Sequence, residues 1–401
     1  MRCTVTSMNT TGTYVGSELV YDADSHVMEL PDWLGSYADE ATRAQLRPLP
    51  LGAAGGALAE SAVAAAQKRK AIGARTSMGS AHDLLKPKGW HAVGAFDAEE
   101  RSAALDVFGF AAQFVFPTFA PSQFVAKRTD GSPDVDLLYR GTDALNRAMA
   151  DFCSRDRRLL AVGAVPWGVP SRTIDAARRA IDEGCQAIQV ATDLPRGVVS
   201  PTHPDHDELW ALLEASNVPA VSHIGGGGKP VRRGFHDNGR PVVDFLGGGE
   251  NVRSKDFLAI HQRTEVFWGA MVLDGIFEKF PGLRAASVEE GAMWVVPWLR
   301  RLDLAMSFAK SEAPLRSLTM APSDYVRRSM RFTPFPSEPV GWMIEQAGSE
   351  LFLFSSDYPH PEGTVDPLAR FESHMPDTTG DDRRRFLSEN FAGLYRGLVP
   401  A

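Results

Sequence analysis

The stretch VYDADSHVME, Val20–Glu29, decides how this chain is interpreted. An apolar run leads into it, and Asp22, Asp24 and His26 then alternate with Ala23 and Ser25. Side chains two residues apart lie on the same face of a β-strand, so the alternation predicts three ionisable groups on one face. Three ionisable groups on one strand face are poorly explained as a solvent-exposed edge. The pattern instead indicates a strand that contributes to a metal site.

Two later apolar runs end in the same way. The run VPAVSHIG contains His223, and the run LFLFSSDYPHPEG contains Asp357. We therefore expect Asp24, His26, His223 and Asp357 to converge on one divalent metal.

Strand-like runs alternate with helical patterns along the rest of the chain. The later strand-like runs lie at 110–118, 158–165, 186–192, 218–224, 283–289, 331–335 and 351–356. Helical patterns lie at 140–154, 170–183, 205–216, 254–279, 292–309, 338–347 and 380–396. With the opening strand, these make eight strand–helix units, the sequence form of a (β/α)8 TIM barrel in the α/β class. The runner-up is an open doubly wound sheet, but no glycine run has the Gly-x-Gly-x-x-Gly spacing of a dinucleotide loop.

The domain organisation follows from this pattern. We expect residues 1–17 to be a loose N-terminal tail and residues 18–401 to form one barrel domain. Residues 34–100 are interpreted as an insertion after strand 1 or an extended first crossover, with helical character from about Leu58 and loop between Thr76 and Ala98.

Composition excludes several classes of partner. A net charge of −8 and a pI near 5.7 argue against nucleic acid or an anionic membrane surface. No apolar run approaches the roughly 20 residues that span a bilayer, and the N-terminus lacks the apolar region of a secretory signal. Cys3, Cys153 and Cys185 are odd in number and widely spaced, which favours buried free thiols and hence a cytoplasmic location.

In a barrel, residues at the C-terminal ends of different strands face one mouth. Glu289, which ends the sixth predicted strand, therefore joins the four expected ligands. Two imidazoles and two carboxylates, with one position open for water, suit Zn²⁺ or alternatively Mn²⁺. The alternative is that each group is a separately satisfied polar residue, and Glu289 with Glu290 could be ordinary acids at a helix N-terminus. Matches at four predicted strand ends favour the metal site.

Two further sets of residues are candidates for contact with substrate. His360 follows Asp357 in a proline-flanked turn, where a substrate role and a structural role are both open. Arg232, Arg233 and Arg240 lie in a long irregular stretch after strand five, which indicates a lid or binding loop. They could hold a substrate carboxylate through paired hydrogen bonds, or could be solvated loop arginines.

With these residues in view, the chain resembles the amidohydrolase-related family of aminocarboxymuconate-semialdehyde decarboxylase and the resorcylate-type decarboxylases. The resemblance extends from Asp22 to Tyr395. The segments that carry it are DADSHVMELPDW, NRAMADFCSRDRRLLAVGAVP, DELWALLEASNVPAVSHIG, FPGLRAASVEEGAMWVVPWLRRLD, FSSDYPHPEG and FLSENFAGLYRGL.

The resemblance implies a metal-dependent barrel, often a homodimer or homotetramer, that acts on small carboxylated or carbonyl-bearing molecules. The family's first-strand pair, usually His-x-His or Glu-x-His, matches Asp24-x-His26, and its later ligands match His223 and Asp357. Many of its decarboxylases have a histidine where this chain has Glu289. That carboxylate titrates differently and orients substrate differently.

The expected activity is that of a metal-dependent lyase, with decarboxylation favoured by the resemblance. Asp357 would act as general base, and Glu289 or His360 would shuttle the proton. Two alternatives would use the same site. One is hydrolysis of a C–C, lactone or amide bond, and the other is hydration or cyclisation of a natural-product intermediate. A metal-binding scaffold without catalysis is the remaining class, and it leaves the acids and histidines at strand ends unexplained.

Overall fold

The fold is described from a computed structural model, which covers residues 12–73, 78–125, 134–225, 231–240, 254–309 and 311–398. Within these ranges no helix combines the length and the apolar character needed to cross a membrane.

Seven parallel strands form one sheet in chain order, so that each strand pairs with the next one along the chain. The strands are β1 Tyr21–Val27, β2 Ala112–Pro117, β3 Leu159–Val165, β4 Ala187–Val190, β5 Ala220–His223, β6 Ala285–Val288 and β7 Met330–Phe332. Each is almost wholly buried, as expected for parallel strands covered by helices. The α/β class and the order of these seven strands are confirmed.

Helices follow the strands and cover the outside of the sheet. The α-helices are α1 Glu40–Arg43, α2 Gly52–Ala71, α3 Ala81–Leu85, α4 Ala98–Phe108, α5 Val135–Cys153, α6 Pro170–Glu183, α7 Asp207–Ser216, α8 Arg233–His236, α9 Ser254–Ala259, α10 Gln262–Leu273, α11 Ile276–Lys279, α12 Val295–Phe308, α13 Ala313–Arg316, α14 Pro322–Ser329, α15 Val340–Ala347, α16 Pro367–Glu372, α17 Gly380–Arg384 and α18 Asn390–Leu394. A π-helix, Arg385–Glu389, joins the last two, and short 3-10 helices lie in several connections.

The segment predicted as an eighth strand joins the two edges of the sheet without forming a regular strand. Its Leu353 N–H donates to the Phe332 carbonyl of β7 at 2.9 Å, and its Phe354 carbonyl accepts from Ala23 N of β1 at 3.0 Å. Asp357 N then donates to Asp24 O at 2.9 Å. The sheet is therefore a curled row of seven strands whose open side is bridged by this segment.

An extra residue in β1 changes which side chains share a face. The register pairs Asp22 with Gln113 and then, after a shift, His26 with Phe116, so four steps along β1 match three along β2. Such a bulge reverses the alternation locally. The prediction that Asp22 lies on the face of Asp24 and His26 is therefore wrong for Asp22, whose carboxylate accepts from Gln113 instead.

The region before β2 is more ordered than the sequence indicated. The stretch expected to be loop between residues 76 and 98 contains α3 and a 3-10 helix, Gly89–His91. The described part of the expected loose tail is attached to the barrel, because Tyr14 donates its hydroxyl to Asp366 at 2.6 Å. The domain boundaries and the interpretation of 34–100 as an insertion stay predictions.

Candidate metal centre

The C-terminal ends of three strands and the bridging segment bring buried polar groups together. Asp24 and His26 come from β1, His223 is the last residue of β5, Glu289 follows β6, and Asp357 follows the bridging segment. Parallel strands that end on the same side place their terminal side chains at one mouth. The convergence predicted from the strand-end pattern is what the backbone produces.

Two of these carboxylates belong to residues with an unusual backbone conformation. Glu289 has φ of 55° and Asp357 has φ of 50°, in the left-handed region that residues with a Cβ rarely adopt. Such conformations cost on the order of 1–3 kcal/mol each and persist where surrounding contacts fix them. The Glu289 N–H is fixed by donation to Thr333 Oγ1 at 2.8 Å. Strain of this kind clusters at functional sites, which agrees with a role for both carboxylates.

The ligand atoms lie within the span of a single coordination sphere. His26 Nε2 is 3.2 Å from Asp24 Oδ1 and 3.7 Å from Asp357 Oδ1. His223 Nε2 is 3.5 Å from Asp24 Oδ1 and 3.3 Å from Glu289 Oε2. Ligand atoms about 2.0–2.2 Å from one metal are separated by distances of this size.

These residues fit a metal ion. Asp24, His26, His223 and Glu289 form one group whose ligand atoms all lie within 4.8 Å of one another. The atoms Asp24 Oδ1, His26 Nε2 and Asp357 Oδ1 are buried and make no hydrogen bond of good geometry with any described residue. Buried polar atoms left in this way indicate a missing partner, and mixed imidazole and carboxylate donors suit a divalent ion.

Protonation at neutral pH also suits ligation. Burial, together with the neighbouring His360 ring, lowers the pKa of His26 to about 3, so this imidazole is neutral. Burial alone would raise the pKa of Asp24, but the neighbouring imidazoles of His223 and His26 outweigh it and hold that pKa well below its usual range. Burial raises the pKa of Asp357, with His360 opposing the shift. Neutral imidazole and ionised carboxylate are the forms that bind metals.

The imidazole of His223 is held by its other nitrogen. Its Nδ1 lies 2.9 Å from the Ile224 carbonyl, which fixes the proton on Nδ1 and leaves Nε2 with a lone pair toward Asp24 and Glu289. Phe116 packs against the rings of both His223 and His26, with centroids 4.5 and 5.7 Å away.

His360 lies beside the cluster, as its position after Asp357 suggested. Its Nδ1 is 3.0 Å from Asp357 Oδ1, and its ring stacks on His26 with centroids 3.8 Å apart. His360 also belongs to a second group of possible ligands, with His26, Glu289 and Asp357. It can exchange a proton with Asp357 or bind the metal.

A cavity of about 230 Å³ opens next to the cluster and includes Asp24, Glu289 and Asp357 in its walls. The remaining walls are mainly apolar or small residues from the loops after β5, β6, β7 and the bridging segment, among them Ile224, Phe257, Ile260, Pro334, Phe335, Pro336, Ser355 and Gly363. Drug-sized ligands occupy cavities of roughly 300–1,000 Å³, so this one suits a smaller molecule.

The three arginines predicted to hold substrate lie in or next to the loop after β5. Arg232 and Arg240 are exposed, and Arg233 begins α8. The side chain of Arg233, and the loop segments 226–230 and 241–253, lie outside the described residues. Their role in substrate binding stays a prediction.

Three residues near the site were missed by the sequence analysis. Thr118 contacts both His26 and His360, and buried Glu29 accepts hydrogen bonds from the backbone around Thr118. Lys88 donates to the Thr364 carbonyl at 3.1 Å, next to the loop that contains Asp357 and His360. Thr118 follows β2 directly, so the strand-end rule could have found it. Lys88 and Glu29 had no such signal.

The chain matches a known protein family over most of its length. A family model described as amidohydrolase matches residues 21–397. No curated protein matches the chain.

Solved structures show the same fold at low sequence identity. An amidohydrolase from Mycobacterium avium subsp. paratuberculosis K-10 is 18% identical, with 94% of this chain and 99% of that chain covered and a TM-score of 0.69. The 5-carboxyvanillate decarboxylase of Sphingomonas paucimobilis is 18% identical, with 95% and 99% covered and a TM-score of 0.60. The 5-carboxyvanillate decarboxylase of Novosphingobium aromaticivorans, solved with manganese and 3-methoxy-4-hydroxy-5-nitrobenzoic acid, is 15% identical, with 96% and 99% covered and a TM-score of 0.61.

Proposed function

This chain belongs to the amidohydrolase family, and we propose that it is a metal-dependent decarboxylase of a small aromatic or muconate-like acid. The observation that carries the proposal is the convergence of buried carboxylate and imidazole atoms beside a cavity of about 230 Å³. Decarboxylases with the same fold support the choice of reaction.

Asp24, His26, His223 and Asp357 would hold the metal. The first three form one group of possible ligands with Glu289, and Asp357 Oδ1 lies 3.7 Å from His26 Nε2. We propose zinc or manganese. Manganese is supported by its presence in the similar decarboxylase from Novosphingobium aromaticivorans and by carboxylates that favour harder ions. When bound, a divalent ion supplies a Lewis acid that polarises substrate oxygens or lowers the pKa of water.

The chain's own residues then have distinct tasks. In decarboxylation the bond between the substrate carbon and its carboxyl group breaks, CO₂ leaves, and the carbon keeps the electron pair and takes a proton. His360, 3.0 Å from Asp357, or Glu289 at the cavity wall would deliver that proton. Apolar walls such as Phe335 exclude water from the carbanion, and the arginines of the loop after β5 would bind a second anionic group of the substrate.

The second candidate is hydrolysis of a C–C, lactone or amide bond. It is favoured by Glu289, which stands where many decarboxylases of the family have a histidine. A carboxylate 3.3 Å from His223 Nε2 is suited to accept a proton from an attacking water.

Incubation with aromatic and muconate-type acids separates the two reactions. We expect release of CO₂ without consumption of water. Hydrolysis of a C–C bond in these acids, or of lactones and amides tested beside them, with consumption of water and no CO₂, would replace the first proposal by the second.

Metal binding is tested by elemental analysis of the purified protein, in which we expect about one divalent ion per chain. His223→Ala should lose most of it, because it removes one of few ligands. The control is His374→Ala, since His374 follows α16 and its ring contacts the Ser373 hydroxyl and the Arg370 carbonyl, away from the candidate metal centre. A metal-free wild type that is still active would contradict the proposal.

The assembly is also a proposal. Following the family resemblance, we propose a homodimer or homotetramer, which light scattering would detect as two or four times the 43.6 kDa of one chain.

A further inference from the structure

Thr118 lies between two of the histidines of the candidate metal centre. It follows the end of β2, and its Oγ1 is 3.0 Å from His360 Nε2 and 3.4 Å from His26 Nδ1. The same oxygen is 2.8 Å from the Val27 carbonyl. One hydroxyl group therefore contacts the backbone of β1 and two imidazole rings at once.

The hydrogen-bonding capacity of a hydroxyl determines the direction of each contact. A threonine hydroxyl has one proton and two lone pairs. The Val27 carbonyl can only accept, so the proton of Thr118 is donated to it at 2.8 Å. The remaining lone pairs of the Thr118 oxygen can accept from ring nitrogens, and this fits a proton on His26 Nδ1, 3.4 Å away.

The opposite nitrogen of each ring faces the candidate metal centre. In His26 this is Nε2, which faces Asp24 and Asp357. In His360 it is Nδ1, which faces Asp357 Oδ1 at 3.0 Å. The hydrogen bond made by one imidazole nitrogen sets the tautomer of the ring and thus the nitrogen available for a metal or a proton.

Glu29 fixes Thr118 in this place. Its buried carboxylate accepts from the backbone N–H groups of Thr118 and Phe119 at 2.8 Å each and of Ala120 at 3.3 Å. Its own carbonyl accepts from Trp90 Nε1 at 3.1 Å. The chain after β2 is thereby tied to the end of β1, from which His26 comes.

We propose that Thr118, supported by Glu29, is a positioning residue that holds the rings of His26 and His360 in place and sets the tautomer of His26. This role of Thr118 depends on the proposed function only in the measurement of metal affinity. Second-sphere partners of this kind change metal affinity about 10–100-fold when removed.

The test compares Thr118→Val, which keeps the shape and removes the hydroxyl, with Thr118→Ser, which keeps the hydroxyl. Long-range ¹H–¹⁵N NMR of metal-free protein labelled at histidine reports the tautomers at pH 7. We expect a proton on Nδ1 of His26 in the wild type and in Thr118→Ser. In Thr118→Val we expect mixed tautomers of His26.

Titration of the metal-free proteins with Mn²⁺ and Zn²⁺ gives the second readout. We expect Thr118→Val to bind about 10-fold more weakly or worse, and Thr118→Ser to bind like the wild type. Unchanged tautomers in Thr118→Val, or equal losses in both variants, would overturn the inference. A wild type that binds neither ion would refute the proposed function, while the tautomers would still decide the role of Thr118.

Discussion

Glu289 and Glu290 are neighbours in the chain and face different surroundings. Glu289, with its left-handed backbone, lines the cavity, whereas Glu290 is buried among hydroxyl groups of the barrel. The sequence allowed both to be acids at a helix N-terminus, and α12 in fact begins only at Val295. The positive φ at residue 289 separates the two carboxylates, and no sequence pattern indicates that angle.

Glu289→Gln tests whether this carboxylate transfers a proton. The variant keeps the size and the backbone donor of Glu289, so folding should be unchanged while kcat falls about 10²–10⁴-fold. Steady-state kinetics of the purified variant measure this fall. Glu345→Gln, at an exposed position of α15, is the matched control. Full activity of Glu289→Gln would exclude the residue as acid or base.

The buried position of Lys88 should make the free energy of unfolding rise with pH. Burial lowers its pKa to about 8, against the opposing effect of Asp357 and Glu362, whereas an unfolded lysine has a pKa of about 10.4. The cost of burying its charge is therefore fully present below pH 8. It is lost as the pH rises from about 8 to about 10.4, because the folded protein releases the proton first.

Between pH 7 and pH 10 the wild type should gain about 1–2 kcal/mol of unfolding free energy relative to Lys88→Met, after allowance for solvent screening. Urea denaturation of both proteins at the two pH values measures the difference. A difference that stays constant with pH would show that Lys88 is not desolvated in the folded state.

Most of the candidate metal centre could be predicted from single residues. Asp24, His26, His223, Glu289 and Asp357 follow or end apolar runs, and in a parallel sheet such positions meet at one mouth. Glu29 and Lys88 could not be found in this way, because they reach the site through turns between β1 and β2. Their positions depend on tertiary contacts that leave no periodic pattern.

At the scale of elements, Glu290 joins three of them. It accepts from Ser222 of β5 at 2.9 Å, from Ser287 of β6 at 2.6 Å and from Thr264 of α10. Ser222 also accepts from Trp268 of α10 at 3.0 Å. The carboxylate therefore holds the helix after the loop of β5 against the strands that carry His223 and Glu289.

Glu290→Gln should destabilise the protein by about 1–3 kcal/mol, because one oxygen that accepts from two hydroxyls is replaced by a donor. The midpoint of urea unfolding measures the loss, with Glu345→Gln as the control for the same chemical change at an exposed position. Equal stability of the two variants would mean that the buried hydroxyls find other partners.

The strands show which features of the fold a sequence pattern can predict and which it cannot. The seven strands lie within or beside their predicted runs, because short apolar runs buried on both faces are distinctive. The bulge in β1 was invisible, since Asp22 fits a period of two equally well. In the structure Asp22 accepts from Ser356 N at 2.8 Å and Asp24 N at 3.2 Å, so it supports two ligand-bearing segments from behind.

At the scale of the whole molecule, the candidate site concentrates like charges. Asp24, Glu289 and Asp357 are buried close together, and a cation would relieve their repulsion. A ligand that binds only the folded state stabilises it by about 2.7 kcal/mol at a free concentration 100 times its Kd. Metal should therefore stabilise the entire barrel.

Removal of metal by a chelator should lower the melting temperature of the wild type, and re-addition of Mn²⁺ or Zn²⁺ should restore it. Differential scanning calorimetry measures both steps. His223→Ala should melt at a temperature that does not respond to chelator. A wild type that melts at the same temperature with and without chelator would contradict metal binding at this site.

The bridging segment also determines when, during synthesis, the candidate metal centre can form. Ser356 donates to Asp22 across 334 residues, and Asp357 N–H donates to Asp24 O beside it. During synthesis, the first strand leaves the ribosome long before the residues that complete its surroundings. The acids and the histidine of β1 therefore lack these partners until residues 356 and 357 have been synthesised. Each new molecule therefore becomes able to bind metal only late in its synthesis.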